Sequence, residues 1–267
     1  MEIRDWDKFL IPYEQAVEEL KVKFRSIRSE LRKKDEYSPI EFVTGRVKKV
    51  SSILEKARKL QVPMDQLETG IEDIAGIRIM CQFVEDIQKM VEMIHQRNGK
   101  DLIIVYEKDY VSNQKESGYR SYHIIINYPV QTAEGERWIL AEIQIRTLAM
   151  NFWATIEHSL NYKYRKNIPE KVRSRLKKAA EAAYLLDQEM SEIREEIKEA
   201  QKLFEIKSQL VSNILQSIHQ LYRQGHVSEA SFFQERFNQL WEMGDIHELR
   251  RLRDEMNGKL NSMNGDS

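Results

Sequence analysis

The stretch "RWILAEIQIRT", residues 137–147, alternates strictly: Ile139, Ala141, Ile143 and Ile145 fall on one side, Glu142, Gln144 and Arg146 on the other. A period of two belongs to a strand, here one with a buried face and a polar face. Residues 77–84, "DLIIVYEK" and "SYHIIINYP" read as further strands, the last two joined by the polar loop "DYVSNQKESGYR". Residues 6–31 and 86–97 carry helical periodicity, the first with Lys21, Arg25 and Arg28 on its polar face. The expected class is α/β, of the α+β type: a mixed central β-sheet flanked by helices, ending near residue 165.

Beyond that point the pattern is helical. Small or apolar positions from Val172 to Phe204 step by four and three, the seam of a long helix packed on another helix, and residues 208–223 repeat the pattern. Gly225 and Gly244 separate two shorter amphipathic segments, the second opening with Asp245 and Glu248 at capping-box spacing. Phe232, Phe233, Phe237, Leu240 and Trp241 give the tail apolar stripes that either pack on one another or dock on a partner. The expected division is a core over 1–165, helices for packing and oligomerisation over 166–208, and a helical extension over 209–267.

With 41% hydrophobic and 32% charged residues in 267, the chain can bury one good core and carry extra helices. No apolar run approaches a membrane span, and "MEIRDWDKFL" lacks the order of a signal peptide, so the expected location is the cytoplasm. The single cysteine, Cys81, sits in the apolar run "IRIMCQFV" and reads as a buried structural thiol. Net charge is −1, but residues 21–60 hold 13 Lys or Arg against 5 Asp or Glu, whereas residues 181–200 hold 2 against 7. The basic region is short and poor in aromatics, which favours a compact anionic ligand over general nucleic-acid binding.

Within it, "GRVKKVSSILEKARK", residues 45–59, is expected to open a helix just after Gly45. Val47, Val50, Ile53, Leu54, Ala57 and Leu60 then gather on one side, and Lys48, Ser52, Lys56 and Lys59 form a row on the other. Such a row suits a polyphosphate, and equally a solvated helix face. Asp73 and Glu142, distant in sequence, could converge to hold Mg²⁺; alternatively Asp73 caps a turn and Glu142 pairs with Arg146 or a lysine. Lys115, Tyr119, Arg120 and His123 crowd "KESGYRSYH", where Gly118 permits a sharp turn. An exposed Tyr119 could stack on a purine while the cations take phosphates. Taken alone, His123 also suits a satisfied strand histidine, and His158 one on a helix face.

The segments "GRVKKVSSILEKARK", "DIAGIRIM", "ESGYRSYH" and "EIQIRTLAMNFWATIEHSLNYK", in this order, resemble the synthetase domain of the RelA/SpoT family. The N-terminal "WDKFLIPYEQAVEELKVK" makes the resemblance closest to the stand-alone RelQ-type small alarmone synthetases, over residues 1 to about 205. No His-Asp dipeptide occurs, so the hydrolase domain of the long members is not expected. The resemblance implies a nucleotidyltransferase-like synthetase fold and transfer of pyrophosphate from ATP to the 3′-hydroxyl of GDP or GTP. It matches Arg46, Lys48, Ser52, Lys56 and Arg78 to ATP-binding residues, the two arginines bracketing adenine. Asp73 and Glu142 match the acidic pair that holds Mg²⁺, Glu142 also as base. Tyr119 matches the residue stacking on guanine, and Lys115, His123 and Asn151 match acceptor contacts, with Gln144 nearby on the Glu142 face.

Two lysines depart from arginines common in relatives: Lys108 in the acceptor-phosphate loop and Lys59 late in the ATP helix. Charge is kept, but the bidentate fork is lost. RelQ-type relatives form tetramers whose central cleft binds pppGpp through residues matching Arg25, Phe42, Thr44 and Asn151, with Arg25 replacing a lysine. A homotetramer, activation by product and regulation by single-stranded RNA are therefore expected. An RNA-binding regulatory protein and another kind of nucleotidyltransferase are the alternative functions.

Overall fold

A computed structural model describes residues 5–163 and 169–265. The chain divides into two compact units, residues 1–191 and 192–267.

The first unit opens with helix α1 (Trp6–Lys33), capped by Asp5, whose carboxylate accepts from the Lys8 N–H. Strand β1 (Phe42–Val47), helix α2 (Val50–Leu60) and the single turn α3 (Leu67–Gly70) follow. Then come strand β2 (Ala75–Cys81), helix α4 (Val84–His95) and strands β3 (Ile103–Asp109), β4 (Tyr122–Thr132) and β5 (Gly135–Thr147). Helix α5 (Leu148–Lys163) leaves the end of β5 directly. The strands form one sheet in the order β1-β2-β5-β4-β3, in which only β2 and β5 run parallel. The mixed α+β architecture expected from the sequence is therefore present.

The alternation of β5 is realised as expected. Ile139, Ala141, Ile143 and Ile145 are buried and join Ile77 and Ile79 of β2 and Ile124 and Ile126 of β4 in one core. Tyr13, Val17, Leu20 and Phe24 of α1 and Ile87, Met90, Val91 and Ile94 of α4 cover that face. The layer is a helix stripe on a sheet face, the arrangement that lets both elements bury apolar surface. Cys81 is buried at the end of β2, where burial pushes its thiol pKa up, so it packs rather than reacts.

The basic segment corrects one expectation. The helix does not open after Gly45; Gly45, Arg46 and Val47 belong to β1, and α2 starts at Val50. Pairing of Gly45 with Ile77 across the β1–β2 ladder overrides the helical period. Glycine is needed there because a Cβ would stand 2.7 Å from Val17 Cγ1, and α1 could not close over the strand.

Helix α6 (Glu170–Arg223) runs unbroken through the two segments that the sequence separates near residue 208. Within the chain its seam is largely uncovered: Leu186, Met190, Ile193, Ile197 and Phe204 are all exposed. In the second unit the distal part of α6, α7 (Val227–Met243) and α8 (Ile246–Gly265) share their own core, with Leu210, Ile214, Ile218 and Leu221 against Phe233, Phe237, Leu249, Leu252 and Met256. The tail thus packs on itself. Gly244 ends α7 with φ +73°, and the Asp245 carboxylate accepts from the His247 and Glu248 N–H groups. Phe232 and Trp241 remain exposed.

Candidate active site

The polar face of the sheet is assembled by strand register. Thr44 stands opposite Arg78, Arg78 opposite Gln144, Gln144 opposite His123, and His123 opposite Lys108. One row across five strands therefore carries five residues singled out in the sequence. The neighbouring row places Arg46 beside Gly76 and Gly76 beside Glu142. Asp73 sits in the turn before β2, and it lines one cavity together with Thr44, Arg46, Arg78, Glu142 and Gln144.

Asp73 pairs with two lysines rather than capping a turn. Lys48 Nζ lies 2.7 Å from one carboxylate oxygen and Lys56 Nζ 2.9 Å from the other. Burial works to raise its pKa, but these two lysines outweigh burial and hold it below the ordinary carboxylate value. Glu142 is likewise held ionised. Burial would raise its pKa, yet His123, whose Nδ1 is 2.7 Å away, and the Gln144 amide, also at 2.7 Å, bring it below the ordinary value. Its partners are thus His123 and Gln144, not Arg146 or a lysine.

A second cavity adjoins the first and shares Arg46, Arg78 and Gln144 with it. Lys115, Ser117, Tyr119 and Arg146 line it from the sheet side, and Thr155, Glu157 and His158 of α5 from the other. Tyr119 is half-buried rather than exposed. Its hydroxyl is held between His123 Nε2 at 2.7 Å and Arg146 Nη2 at 2.6 Å, while Lys115 Nζ stands 4.8 Å from the ring centre. Burial pushes the phenol pKa up, so the hydroxyl keeps its hydrogen. Burial, then the charges of Arg146 and Arg46, lower the pKa of Arg78, whose Nε donates to Gln144 Oε1 at 3.3 Å. Such a cluster of guanidinium groups is prepared for anions.

Other expected residues lie apart. Ser52 is half-buried and Lys59 exposed on α2, and Asn151 sits in the first turn of α5; none of the three lines either cavity. Lys108 is exposed and donates to the Tyr106 hydroxyl at 3.2 Å, a bond that raises its pKa. Arg25 on α1 donates to the Val43 carbonyl at 3.1 Å, beside Phe42 and Thr44 on the edge strand, while Asn151 belongs to a different element. Arg120 is buried over the Tyr184 ring with Glu181 at 3.4 Å, a packing role.

Arg146 was named in the sequence only as a partner for Glu142. It is 4% exposed, lines the second cavity and touches Tyr119, Gln144 and Ser121. Its signal was the alternation that put it on the face of Glu142 and Gln144.

Among the described residues no group of three or more His, Cys, Asp or Glu could hold a metal. Asp73 and Glu142 still fit Mg²⁺: two hard oxygen donors facing one cavity are the protein share of a site whose other ligands are water and substrate phosphates.

Residues 45–167 match the family model described as a region found in RelA/SpoT proteins. The chain is 61% identical to the GTP pyrophosphokinase YjbM of Bacillus subtilis, over 78% of this chain and 97% of that protein. The small alarmone synthetase 1 of Bacillus subtilis bound to its product pppGpp superposes with a TM-score of 0.69 at 62% identity, covering 73% of this chain and 98% of that one. The same enzyme bound to AMPCPP gives 0.64 at 58% identity, with 73% and 99% covered.

Proposed function

The chain belongs to the RelA/SpoT family, and from that premise we propose how its two cavities carry out the reaction of a small alarmone synthetase. It is a GTP pyrophosphokinase, which moves the β,γ-pyrophosphate of ATP to the 3′-oxygen of GDP or GTP and releases AMP. The observation that carries the assignment of residues is the register row Thr44–Arg78–Gln144–His123–Lys108, whose Arg78 and Gln144 line both cavities.

In this reading the first cavity takes ATP, Arg46 and Arg78 bracketing adenine and Lys48, Ser52, Lys56 and Lys59 turning to its phosphates. The second takes the acceptor, with guanine on Tyr119 and Lys108, Lys115, His123, Gln144 and Asn151 around the ribose and phosphates. Glu142 accepts the proton of the 3′-hydroxyl as its oxygen bonds to the β-phosphorus and the bond to the α-phosphate oxygen breaks. Mg²⁺ held by Asp73 and Glu142 would neutralise charge developing on the phosphates. Lys48 and Lys56 would add to that neutralisation, and the cavities fix both substrates so that attack is effectively intramolecular.

The exposed seam of α6 supports a homotetramer, since an apolar stripe of that length favours burial against another copy. Residues 1–165 would then be the catalytic core, 166–208 the oligomerisation helices and 209–267 an appendage. Arg25, Phe42 and Thr44 at the edge strand, with Asn151, would bind pppGpp as an activator, and single-stranded RNA would compete for the same basic surface. No helix among the described residues is long and apolar enough to cross a membrane, in keeping with a cytoplasmic enzyme.

The test is to incubate the protein with ATP, GTP and Mg²⁺ and separate the nucleotides by ion exchange. AMP with a guanosine pentaphosphate is expected; free pyrophosphate with an adenylylated product would reject the reading.

A further inference from the structure

Arg146 is buried, yet its side-chain partners are neutral oxygens: Ser121 Oγ at 3.1 Å, Tyr119 Oη at 2.6 Å and Gln144 Oε1 at 2.8 Å. A guanidinium can only donate, so each oxygen it meets is an acceptor. The Tyr119 oxygen accepts from Arg146, and we assign its own hydrogen to His123 Nε2, 2.7 Å away. With Nε2 as acceptor, Nδ1 carries the ring hydrogen, which points to Glu142 Oε1 at 2.7 Å. On the other branch, Gln144 Oε1 accepts from Arg146 at 2.8 Å and from Arg78 Nε at 3.3 Å, which turns the Gln144 NH₂ onto Glu142 Oε2 at 2.7 Å.

The two branches close on one carboxylate. Both oxygens of Glu142 are met by donors that trace back to Arg146, the Gln144 branch with Arg78 as a second donor, and each oxygen keeps lone-pair capacity for a further ligand. The first branch also pins the Tyr119 ring by its hydroxyl, so the surface offered to the acceptor base and the carboxylate offered to its hydroxyl are set by one side chain.

We propose that Arg146 is the positioning residue of this site: by donating to Tyr119 and Gln144 at once, it aligns the Glu142 carboxylate and the Tyr119 ring for the incoming acceptor. The proposal rests on the reading of Glu142 as the base and Tyr119 as the guanine platform. It assigns Arg146 no bond to the reacting atoms. Polarised networks of this kind act as units, so cutting one in two places costs no more than cutting it once.

The experiment is a double-mutant cycle on kcat in the full chain, with Arg146→Gln, Tyr119→Phe and the pair. Each single change is expected to lower kcat about tenfold or more while the KM for ATP stays within about twofold. The double variant should be no slower than Arg146→Gln alone, because both changes cut the same chain. Arg146→Lys, still a donor-only cation, should recover part of kcat. Should Arg146→Gln fail to fold in a thermal melt, the cycle is run with Arg146→Lys, for which the same non-additivity is expected. Losses that multiply, or a kcat for Arg146→Gln equal to wild type, overturn the proposal. Glu142→Gln is assayed beside them. If it is inactive while the cycle is additive, only the role of Arg146 falls; if it turns over normally, the reading of the site itself falls.

Discussion

Lys56 Nζ lies 2.9 Å from Asp73 Oδ1, and Lys48 closes the other side of the same carboxylate at 2.7 Å. The two lysines proposed for the ATP phosphates thus neutralise the carboxylate proposed for the metal. On the proposed assignment, Mg²⁺ and ATP would exchange one set of partners for another, the carboxylate taking the metal and the ammonium groups the phosphates. Such an exchange would keep the charge balance of the site and leave no buried charge unpaired.

Asp73→Asn and Glu142→Gln should each abolish synthesis with the fold intact, since each removes a negative charge without changing size. Asp73→Asn should also leave Lys48 and Lys56 unpaired and free for phosphate, so its affinity for an ATP analogue without Mg²⁺ should not fall. Turnover assays and calorimetry check both; near-wild-type turnover in either variant contradicts the assignment.

Tyr119→Ala should raise the KM for GDP and GTP far more than that for ATP. Loss of a base stack costs about 1–3 kcal/mol, and it falls on the acceptor alone. Equal changes for both substrates in steady-state kinetics would remove Tyr119 from the guanine site.

Gly118 has φ +88°, and a Cβ there would lie 2.5 Å from the Cβ of Ala180 on α6. Gly118→Ala combines a left-handed backbone with a clash, for an expected loss of about 1–3 kcal/mol. A thermal melt should show a lowered midpoint, and the KM for the acceptor should rise because Tyr119 is the next residue.

Much of this was legible in the sequence, and the exceptions have physical causes. The faces of β5 followed from a period of two, because Ile139, Ala141, Ile143 and Ile145 all join the core under the same helix layer. β1 was missed because its strand ladder is set by a partner about thirty residues away, while the local apolar pattern suits a helix equally well. The convergence of Asp73 with Glu142 was suggested by residue type, but the lysine clamp on Asp73 depends on where α2 starts, which periodicity placed too early. Arg146 was visible as a face member and not as a hub, since hydrogen-bond partners belong to three-dimensional register. The continuity of α6 past residue 208 was hidden because the apolar pattern shifts there to serve a different core.

Asp187 on α6 accepts from the Thr147 hydroxyl at 2.6 Å, and Thr147 Oγ1 in turn accepts from the Met150 N–H that starts α5. Burial pushes the Asp187 pKa up to about 6, against the lowering effects of Thr147 and Arg120. A carboxyl with a raised folded-state pKa contributes its stability when protonated. That contribution is full below its unfolded value near 3.8 and is lost as pH rises through about 6. At neutral pH the ionised group is therefore a cost. Asp187→Asn, which keeps an acceptor for Thr147, should raise the melting temperature at pH 7.5, and the gain should shrink as pH falls toward 5. A gain that is constant with pH would show that burial of the charge is not its source.

Deletion of residues 210–267 should leave synthesis and assembly mass nearly unchanged. It removes α7, α8 and the segment of α6 that form a self-contained core, and every residue assigned to the two cavities lies upstream. Light scattering and a turnover assay decide it; loss of synthesis in a folded truncated protein would make the tail part of the catalytic machine.

The central claim, that Asp73 and Glu142 serve pyrophosphate transfer between two adjoining nucleotide cavities, is tested most directly by following ATP labelled at the β-phosphorus in the presence of GTP and Mg²⁺. The label should appear in the guanosine product, esterified at the 3′-oxygen, with unlabelled AMP released, and neither Asp73→Asn nor Glu142→Gln should move it. Label recovered as free pyrophosphate, or transferred at an undiminished rate by either variant, would contradict the account.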